Sequence, residues 1–381
     1  MTPLNIIIIS GPIHPHNSPR SFRSTELAIG FAKKGHNVTI YSLLGKYNYT
    51  SFEEETGVRV KSMGKSYFGN LNSDNKYLSD SMFFWVFKGL LTRIFYKIID
   101  YPRVEYFFKI IYVLRKETNF DYLITVAHPF GLHWGAAFYK RWLNNSKFKV
   151  WTSDCGDPFM GDPDVNRKKM FLKPIEKFWC RQTDYITIPI ESGKIGYYQE
   201  FSKKINIIPQ GIDFSNIVLS NYVKNDIPTF LYSGAVYPGM RDPTNFLEYL
   251  CTVKTNFRFI VYAPNDNIFC NYFKQLGDKI EVRRYIPRLE LIYNLSSMDF
   301  TINFKNNSEV QQPSKLIDYS LGKRPILEIS TSFPDKEKII FNEFMNGNYK
   351  NQLHIDNLDK YNIDNVCEKF LELYGRNNIE E

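Results

Sequence analysis

The sequence predicts an α/β protein made of two successive domains, each built on a largely parallel sheet. Its 381 residues exceed the usual domain length of about 100–200 residues. Short apolar runs alternate with helical stretches along residues 5–208, and the alternation restarts along residues 228–329. Buried parallel strands with crossover helices produce this pattern. The hydrophobic fraction of 43% supplies two cores and argues against disorder.

The first elements form a strand, loop, helix and strand unit. Asn5–Ser10 is an apolar strand, Ser24–Lys34 is a helix that ends at Gly35, and Asn37–Ser42 is the second strand. The loop between the first strand and the helix lacks the G-x-G-x-x-G pattern, so no dinucleotide cofactor is predicted. Later strands of this domain are predicted at residues 121–126, 149–153, 185–189 and 205–208.

A polar, Asn-rich stretch separates the two domains. Parallel sheets bind ligands beyond the carboxyl ends of their strands, so two such domains predict a ligand cleft between them. The predicted divisions are an N-terminal domain over 1–208, a hinge over 209–227, a C-terminal domain over 228–363 and a C-terminal helix and tail over 364–381. In the C-terminal domain we expect strands at 229–233, 257–262, 280–283, 300–304 and 325–329 and helices at 244–252, 289–296 and 314–321.

The net charge of +8 is unevenly distributed. Residues 1–205 hold 29 basic and 18 acidic side chains, a net charge of +11, and the remainder holds 19 and 22, a net charge of −3. Such asymmetry indicates that the first half meets an anionic partner: nucleic acid, membrane or a phosphorylated substrate. Scattered solubilising lysines are the alternative.

Cysteine usage and hydropathy indicate a cytoplasmic protein. The five cysteines are dispersed, which fits a reducing compartment, and no zinc-ligand spacing occurs. The first ten residues read as a strand without the basic region of a signal peptide. No uncharged apolar run reaches the roughly 18 residues of a membrane-spanning helix. We therefore expect a soluble or peripheral protein.

Two segments of the C-terminal domain carry candidate ligand-binding residues in loops that follow strands. Gly234 allows a ligand to approach the backbone closely, and Arg241 in the same loop offers a bidentate fork for phosphate. Tyr285 and Ile286 precede a helix, where backbone groups can read the edge of a base. The alternative for Gly234 is an ordinary turn without a ligand, and the alternative for the segment of Tyr285 and Ile286 is an ordinary loop.

A third segment carries the strongest signal. Pro313 and Ser314 begin a helix whose free N–H groups and dipole form a natural diphosphate seat. Lys315 adds a cation, and Asp318, about one turn further on, can accept hydrogen bonds from a ribose diol. Glu309 in the preceding loop can do the same for a sugar hydroxyl. The alternative is a capped helix with surface charge.

The segment QQPSKLIDYSLGKRPIL, residues 311–327, resembles the donor-sugar signature of retaining, family 4-like glycosyltransferases of bacterial surface-polysaccharide assembly. This resemblance covers roughly residues 5–330. It implies the GT-B fold, two Rossmann-like domains facing each other across a cleft. Other segments resemble the family in the same order: Ser18–Arg23 and Lys34–Thr39 the first βαβ unit, Trp151–Phe159 its D-x-R-D-P-W stretch, Ile208–Asp213 its I-P-N-G-V-D hinge and Tyr232–Gly234 the entry to the second domain.

The sequence departs from this pattern at three places. Glu309 and Asp318 are nine residues apart, whereas the family places its two acids eight apart. Gly156 stands where the family has the arginine of D-x-R-D-P-W. The first loop begins with Gly11 and Pro12 instead of Gly-Gly. Gly11 remains a donor-binding candidate.

Further candidates in the N-terminal domain follow its strands. His128, at the carboxyl end of a strand, is placed to hold hydroxyls of the donor sugar, and Asp157 to orient an acceptor hydroxyl. Together with Glu309 they are the catalytic candidates. The alternative for His128 is a purely structural histidine. Arg20, Arg23 and Glu191 are the candidates for binding the acceptor or its phosphate. The alternative for the two arginines is a solvated side chain that binds no ligand.

Residues 82–99 predict an amphipathic helix with an aromatic and aliphatic arc. Phe87 lies within the arc, whereas Lys88, Arg93 and Lys97 lie outside it, two of them near its edges. Such a helix is typical of one lying on an anionic membrane. The alternative is a helix packed on its own sheet.

These observations predict a glycosyltransferase of the hexosyltransferase type. It would use a UDP- or GDP-linked sugar, with no cofactor and, because no D-x-D motif occurs in a suitable loop, no metal. The acceptor would be a saccharide or a lipid-diphosphate-linked saccharide in capsule or O-antigen assembly, at the inner face of the cytoplasmic membrane. The amphipathic basic pattern disfavours nucleic acid. The alternatives are a non-hydrolysing nucleotide-sugar epimerase and a non-catalytic GT-B-like scaffold.

Overall fold

The chain divides into two compact units, which we describe separately. The first comprises Met1–Asp213 together with Tyr361–Glu381, and the second Phe214–Lys360. The division falls inside the predicted hinge, but the terminal helix belongs with the first unit. The computed structural model describes residues 2–16, 18–66, 103–143, 148–161, 172–239, 241–264, 267–284, 286–305 and 315–377.

A seven-stranded parallel sheet forms the first unit, in the order β3-β2-β1-β4-β5-β6-β7. Its strands are β1 (Asn5–Ser10), β2 (Asn37–Ser42), β3 (Arg59–Ser62), β4 (Tyr122–Val126), β5 (Val150–Asp154), β6 (Tyr185–Ile188) and β7 (Ile205–Ile207). Its helices are α1 (Pro19–Lys33), α2 (Thr50–Thr56), α3 (Glu105–Lys116), α4 (Gly131–Trp142) and α5 (Lys173–Gln182), with two 3-10 segments at Glu191–Gly196 and Gln199–Lys204.

The isoleucines of β1 are buried on both faces of this sheet. Ile7 and Ile9 belong to one apolar cluster, whereas Ile6 and Ile8 belong to another on the opposite face. Strand side chains alternate between faces, so four consecutive isoleucines fill both layers. This two-sided burial explains the continuous apolar run that predicted a central parallel strand.

The terminal helix α12 (Ile363–Asn377) completes the second of these layers. Val366 and Phe370 are fully buried there, and the Phe370 ring lies edge-on to Phe31 of α1, with 6.2 Å between centroids. A Cβ atom at Gly30 would lie 2.6 Å from Cys367 Sγ, so glycine permits this close approach of α1 and α12. The apolar face of α12 thus belongs to the core of the first unit.

A five-stranded parallel sheet forms the second unit, in the order β10-β9-β8-β11-β12. Its core is rich in phenylalanine, with the Phe230 ring stacked 4.8 Å from Phe300 and 5.0 Å from Phe259. Its strands are β8 (Thr229–Ser233), β9 (Arg258–Tyr262), β10 (Ile280–Arg283), β11 (Phe300–Phe304) and β12 (Ile326–Ile329). Its helices are α6 (Thr244–Thr252), α7 (Asn267–Cys270), α8 (Phe273–Leu276), α9 (Arg288–Ser296), α10 (Lys315–Leu321) and α11 (Asp335–Met345), with 3-10 turns at Gly277–Lys279 and Leu358–Tyr361.

The observed architecture confirms the predicted fold class, because both sheets are parallel and carry crossover helices. Within the described ranges, no helix has the length and apolar character needed to cross a membrane.

A buried carboxyl in α5 predicts a pH-dependent stability. Glu176 is fully buried, and its Oε1 accepts a hydrogen bond from the Met160 amide at 3.3 Å. Burial raises the pKa of Glu176 from 4.5 to about 7. A carboxyl pKa raised in the folded state contributes stability at acid pH that is lost as the pH rises through 7. We therefore expect Glu176→Gln to stabilise the first unit by about 3 kcal/mol at pH 8 relative to wild type, with the difference vanishing towards pH 5.

Tryptophan fluorescence during urea unfolding measures this difference, because all five tryptophans lie in the first unit. Glu372, on α12 of the same unit, is exposed, and Glu372→Gln is the matched control. Parallel pH profiles for wild type and Glu176→Gln would contradict the prediction.

Candidate functional site

A pocket of about 230 Å³ opens at the carboxyl ends of β8 and β9 in the second unit. Two predicted donor-binding residues, Gly234 and Ile286, both line it. The pocket therefore lies where parallel sheets place their ligands. Its walls are largely apolar and are formed by Ser233, Gly234, Ala235, Tyr262, Ala263, Pro264, Ile286 and Leu291.

Gly234 has a backbone conformation that suits glycine. Its φ is +137°, and an added Cβ would lie 3.4 Å from Tyr232 Oη and 3.5 Å from Lys315 Cδ. The neighbouring Ser233 is held on both sides by Tyr319 of α10, whose hydroxyl accepts from the Ser233 amide at 2.8 Å and donates to its carbonyl at 3.0 Å. These contacts fix α10 against the end of β8 and so position Lys315.

Lys315 presents an unusual ammonium group at this edge of the sheet. Its Nζ is buried 4.4 Å from the centroid of the Tyr232 ring and makes no hydrogen bond to the residues that the structure describes. Burial, assisted by the nearby positive charge of Arg241, holds the pKa of Lys315 well below its usual value. An anion placed here would supply the missing partner.

Arg241 follows β8 in a tight loop. Its backbone exchanges two hydrogen bonds of 3.0 Å with Tyr237, and its Nη1 donates to the Ala235 carbonyl at 3.2 Å. Arg241 thereby stays close enough to Lys315 to depress the pKa of that lysine. A bound anion would relieve the repulsion between the Lys315 and Arg241 side chains, so this pair favours anion binding.

Asp318 of α10 is paired with an arginine that the sequence patterns did not single out. Its Oδ1 accepts hydrogen bonds from Nε of Arg288, at 2.7 Å, and from Nη2 of the same side chain. Burial raises the pKa of Asp318, although Arg288 opposes the shift. Arg288 begins α9 directly after the pocket-lining loop. That position in the sequence could have identified Arg288 as a candidate site residue. Tyr285, Glu309, Pro313 and Ser314 lie outside the described residues.

Loops following β1 and β4 of the first unit bring Gly11 and His128 together. A Cβ atom at Gly11 would lie 2.7 Å from Pro129 Cδ and 3.0 Å from the His128 carbonyl oxygen. Only glycine therefore fits without displacing the chain around Pro129. The His128 ring lies edge-on to Phe130, with 4.8 Å between centroids, and remains partly exposed at the carboxyl end of the sheet.

Arg20 of α1 lies over Gly156, in the loop that follows β5. Its Nη2 is 3.6 Å from Asp157 Oδ2, and a Cβ added to Gly156 would fall 1.0 Å from that same Nη2. Both charged groups are partly exposed. The sequence thus lacks an arginine at position 156, yet an arginine from α1 supplies a guanidinium at that place, beside a predicted catalytic residue.

Arg23 has a structural role that removes it from the phosphate-binding candidates. Its side chain is 4% exposed and forms two hydrogen bonds with Asp154 of β5, at 3.0 and 2.8 Å. It also donates to the carbonyls of Ile208 and Pro209. Burial favours the neutral acid, but the charge and hydrogen bonds of Arg23 hold the pKa of Asp154 below its usual value.

Glu191 lies at the surface, where its Oε1 is 2.5 Å from Lys194 Nζ. This pair is highly exposed, so nothing in the geometry directs Glu191 at a ligand. The membrane candidates Phe87, Lys88, Arg93 and Lys97 lie outside the described residues. In the part of the chain that the structure describes, no three His, Cys, Asp or Glu side chains form a group able to hold a metal ion.

Solved glycosyltransferases resemble this chain over nearly its whole length. One from Rickettsia africae gives a TM-score of 0.61 at 12% identity, covering 99% of both chains. HepE from Anabaena, in complex with UDP, gives 0.60 at 8%, covering 98% of this chain and 100% of that one. The lipopolysaccharide outer core galactosyltransferase WaaB gives 0.57 at 11%, covering 98% of both. No protein-family model and no curated protein matches the sequence. The chain therefore has the GT-B fold, as its sequence motifs predicted.

Proposed function

We propose that this chain, which has the GT-B fold, is a glycosyltransferase that moves a sugar from a nucleotide-sugar donor to a saccharide acceptor. The observation that carries the proposal is the buried ammonium of Lys315, which has no hydrogen-bond partner among the described residues and lies beside Arg241. A diphosphate supplies the negative charge that this pair lacks. The resemblance to HepE, whose structure contains UDP, supports the same ligand class.

Each part of the second-unit site fits one part of such a donor. The apolar pocket at the ends of β8 and β9 accepts the base, whose edge the backbone around Ile286 can read. Lys315 and Arg241 stabilise the charge that grows on the leaving diphosphate. Asp318, oriented by Arg288, accepts hydrogen bonds from the ribose diol. We propose a UDP- or GDP-linked hexose as the donor, with no cofactor and no metal.

The candidates in the first unit fit the acceptor and the transferred sugar. His128 contacts hydroxyls of the donor sugar, and Asp157 orients the attacking hydroxyl. Arg20 supplies positive charge beside Asp157. Transfer with retention of anomeric configuration is the outcome that the motif resemblance implies. We further propose a lipid-diphosphate-linked acceptor in surface-polysaccharide assembly at the inner membrane face. The neighbour WaaB, a lipopolysaccharide outer core galactosyltransferase by its name, supports a role in surface-polysaccharide assembly.

A thermal-shift screen of nucleotide sugars tests this function. We expect UDP- or GDP-sugars to stabilise wild type and to have little effect on Lys315→Ala or Asp318→Ala. Incubation of the stabilising sugar with lipid-linked saccharides then separates transfer from epimerisation, because an epimerase converts the sugar without any acceptor. Absence of stabilisation by every nucleotide sugar would refute the proposal.

Replacing Gly156 with alanine should displace the Arg20 guanidinium from its place beside Asp157. The end of a flexible arginine can move, so we expect Gly156→Ala to fold normally. Transfer should fall by roughly tenfold, the loss of one charged contact of about 1.4 kcal/mol. Steady-state rates and nucleotide affinity measure the two effects.

Nucleotide affinity should stay unchanged in Gly156→Ala, because the donor pocket lies in the other unit. Arg20→Ala should reproduce the rate loss, and adding Gly156→Ala to it should cost little more. Additive losses in the double variant would show that the two residues act separately.

A further inference from the structure

The outer surface of three helices in the first unit carries a continuous row of aromatic rings. Consecutive ring centroids are 5.1 Å apart for Phe108 and Phe107, 5.6 Å for Phe107 and Phe138, 4.7 Å for Phe138 and Trp142, and 5.2 Å for Trp142 and Phe178. These five residues, which we call the aromatic row, connect α3, α4 and α5.

Much of this apolar surface faces solvent. Phe108 is 63% exposed and Trp142 is 57% exposed, and Tyr112, one turn beyond Phe108 on α3, is 49% exposed. Contiguous exposed apolar surface is uncommon on soluble monomers and marks a binding surface. The rings sit on well-formed helices, so the surface exists without any rearrangement of the chain.

The exposed charged side chains that the three helices themselves carry are basic. α3, α4 and α5 contain two acidic residues, Glu105 and Glu176, and both are buried. Arg115, Lys116 and Arg141 are exposed on the same helices. The charged ends of two of them lie over exposed rings: Lys116 Nζ is 4.2 Å from the Tyr112 centroid, and Arg141 Cζ is 5.9 Å from that of Trp142.

Acidic residues from other segments pair with three further cations of these helices. Glu200 pairs with Lys177 and Arg181 of α5, and Asp184 pairs with Lys140 of α4. Lys116 and Arg141, in the last turns of α3 and α4, place exposed positive charge beside the Tyr112 and Trp142 rings. This placement combines apolar area with attraction for anions.

We infer that the aromatic row docks on an anionic lipid membrane. Tryptophan and tyrosine favour the boundary between headgroups and acyl chains, where their rings are apolar and their polar atoms stay wet. Lysine and arginine beside them attract anionic headgroups. A second copy of this chain fits less well, because two basic surfaces repel each other. The surface supplies the membrane contact proposed above, through residues outside the predicted helix at 82–99.

Co-sedimentation of the full chain with vesicles tests this inference. We expect wild type to bind phosphatidylcholine vesicles that contain phosphatidylglycerol and to bind pure phosphatidylcholine at least about tenfold more weakly. Phe108→Ser and Trp142→Ser should each weaken binding about tenfold. Lys116→Glu and Arg141→Glu should each weaken it at least about fivefold.

Two variants on α11 in the second unit serve as matched controls. Ile339 is 62% exposed and Lys336 is exposed on the same helix, so Ile339→Ser and Lys336→Glu repeat both kinds of change elsewhere. Both should bind vesicles as wild type does. Failure of wild type to bind anionic vesicles, or equal losses in the controls, would overturn the inference.

Light scattering tests the competing partner. A wild-type dimer that Trp142→Ser converts to a monomer would assign the aromatic row to self-association and overturn the membrane assignment. Stabilisation by nucleotide sugars should stay intact in every one of these variants. The inference and the proposed function can therefore fail independently of each other.

Discussion

Lys315→Met should weaken nucleotide binding by roughly 50-fold while making the ligand-free protein more stable. The affinity loss corresponds to about 2–3 kcal/mol, the value of a hydrogen-bonded contact to a charged group. The stability gain, about 1–3 kcal/mol, follows because methionine keeps the aliphatic contacts of the lysine and removes its buried, unpaired ammonium. Calorimetric titration with UDP and GDP measures the first effect, and thermal unfolding without ligand measures the second.

The opposite signs of these two effects separate a ligand-binding lysine from a structural one. A lysine needed for folding would lower both quantities when replaced. Lys305→Met is the matched control, because Lys305 is an exposed lysine in the same unit, 3.9 Å from Glu328. That variant should change neither quantity appreciably.

Nucleotide binding should also take up a proton through Lys315. The pKa of this lysine is held well below its usual value, and a bound diphosphate raises it again. Between those two values, binding adds a proton and the affinity falls as the pH rises. Titrations at a series of pH values from about 7.5 to 9, in buffers of different ionisation enthalpy, measure the uptake, since nucleotide phosphates are already ionised in that range. Lys315→Met should show none.

Arg23→Met should destabilise the first unit by about 3–5 kcal/mol at pH 7. The substitution leaves the Asp154 carboxylate, which is 2% exposed, buried without its cation, and such unpaired charges are among the costliest defects in a protein core. Urea unfolding followed by tryptophan fluorescence reports on this unit alone. Arg59 lies exposed on β3 of the same unit, so Arg59→Met should cost little.

The loss in Arg23→Met should shrink at acid pH. In wild type the pKa of Asp154 is lowered, so the stability it contributes is present at neutral pH and lost as the pH falls. In the variant the largest opposing influence on the pKa of Asp154 is gone, and the Thr187 hydroxyl and the charge of Arg20 remain. Burial then raises that pKa, so protonation relieves the defect. A destabilisation of equal size at pH 7 and pH 4 would contradict this account.

Sequence patterns predicted the elements whose residues are buried on both faces. The four isoleucines of β1 are an example, because a continuous apolar run has few other uses. The patterns missed β3, whose sequence RVKS lies at a sheet edge with its side chains mostly exposed. They also missed α11, in which just Phe341 and Phe344 are buried. β3 forms because it pairs with β2, and α11 forms because Phe341 and Phe344 pack into the core of the second unit.

Position along a strand was enough to select two candidates that the structure places at one pocket. Gly234 and Ile286 were chosen because they follow strands or precede a helix in a parallel sheet, and both line the pocket. The roles of Arg23 and Arg288 depend on partners 131 and 30 residues away in the sequence. No local sequence pattern contains that information. The sequence around an arginine near a helix start therefore does not distinguish a buried ion-pair partner from a side chain that binds phosphate.

The return of α12 to the first unit has a consequence for biosynthesis. The groove on α1 that receives α12 is made early, but its occupant emerges from the ribosome only after the whole second unit. At about 5–20 residues per second, translation from residue 213 to residue 377 takes roughly 10–30 s. During that interval the nascent chain exposes the surface around Phe31 that Phe370 later covers. The second unit, whose residues are contiguous, can therefore fold before the first is complete, and the unfinished groove is a natural substrate for a chaperone.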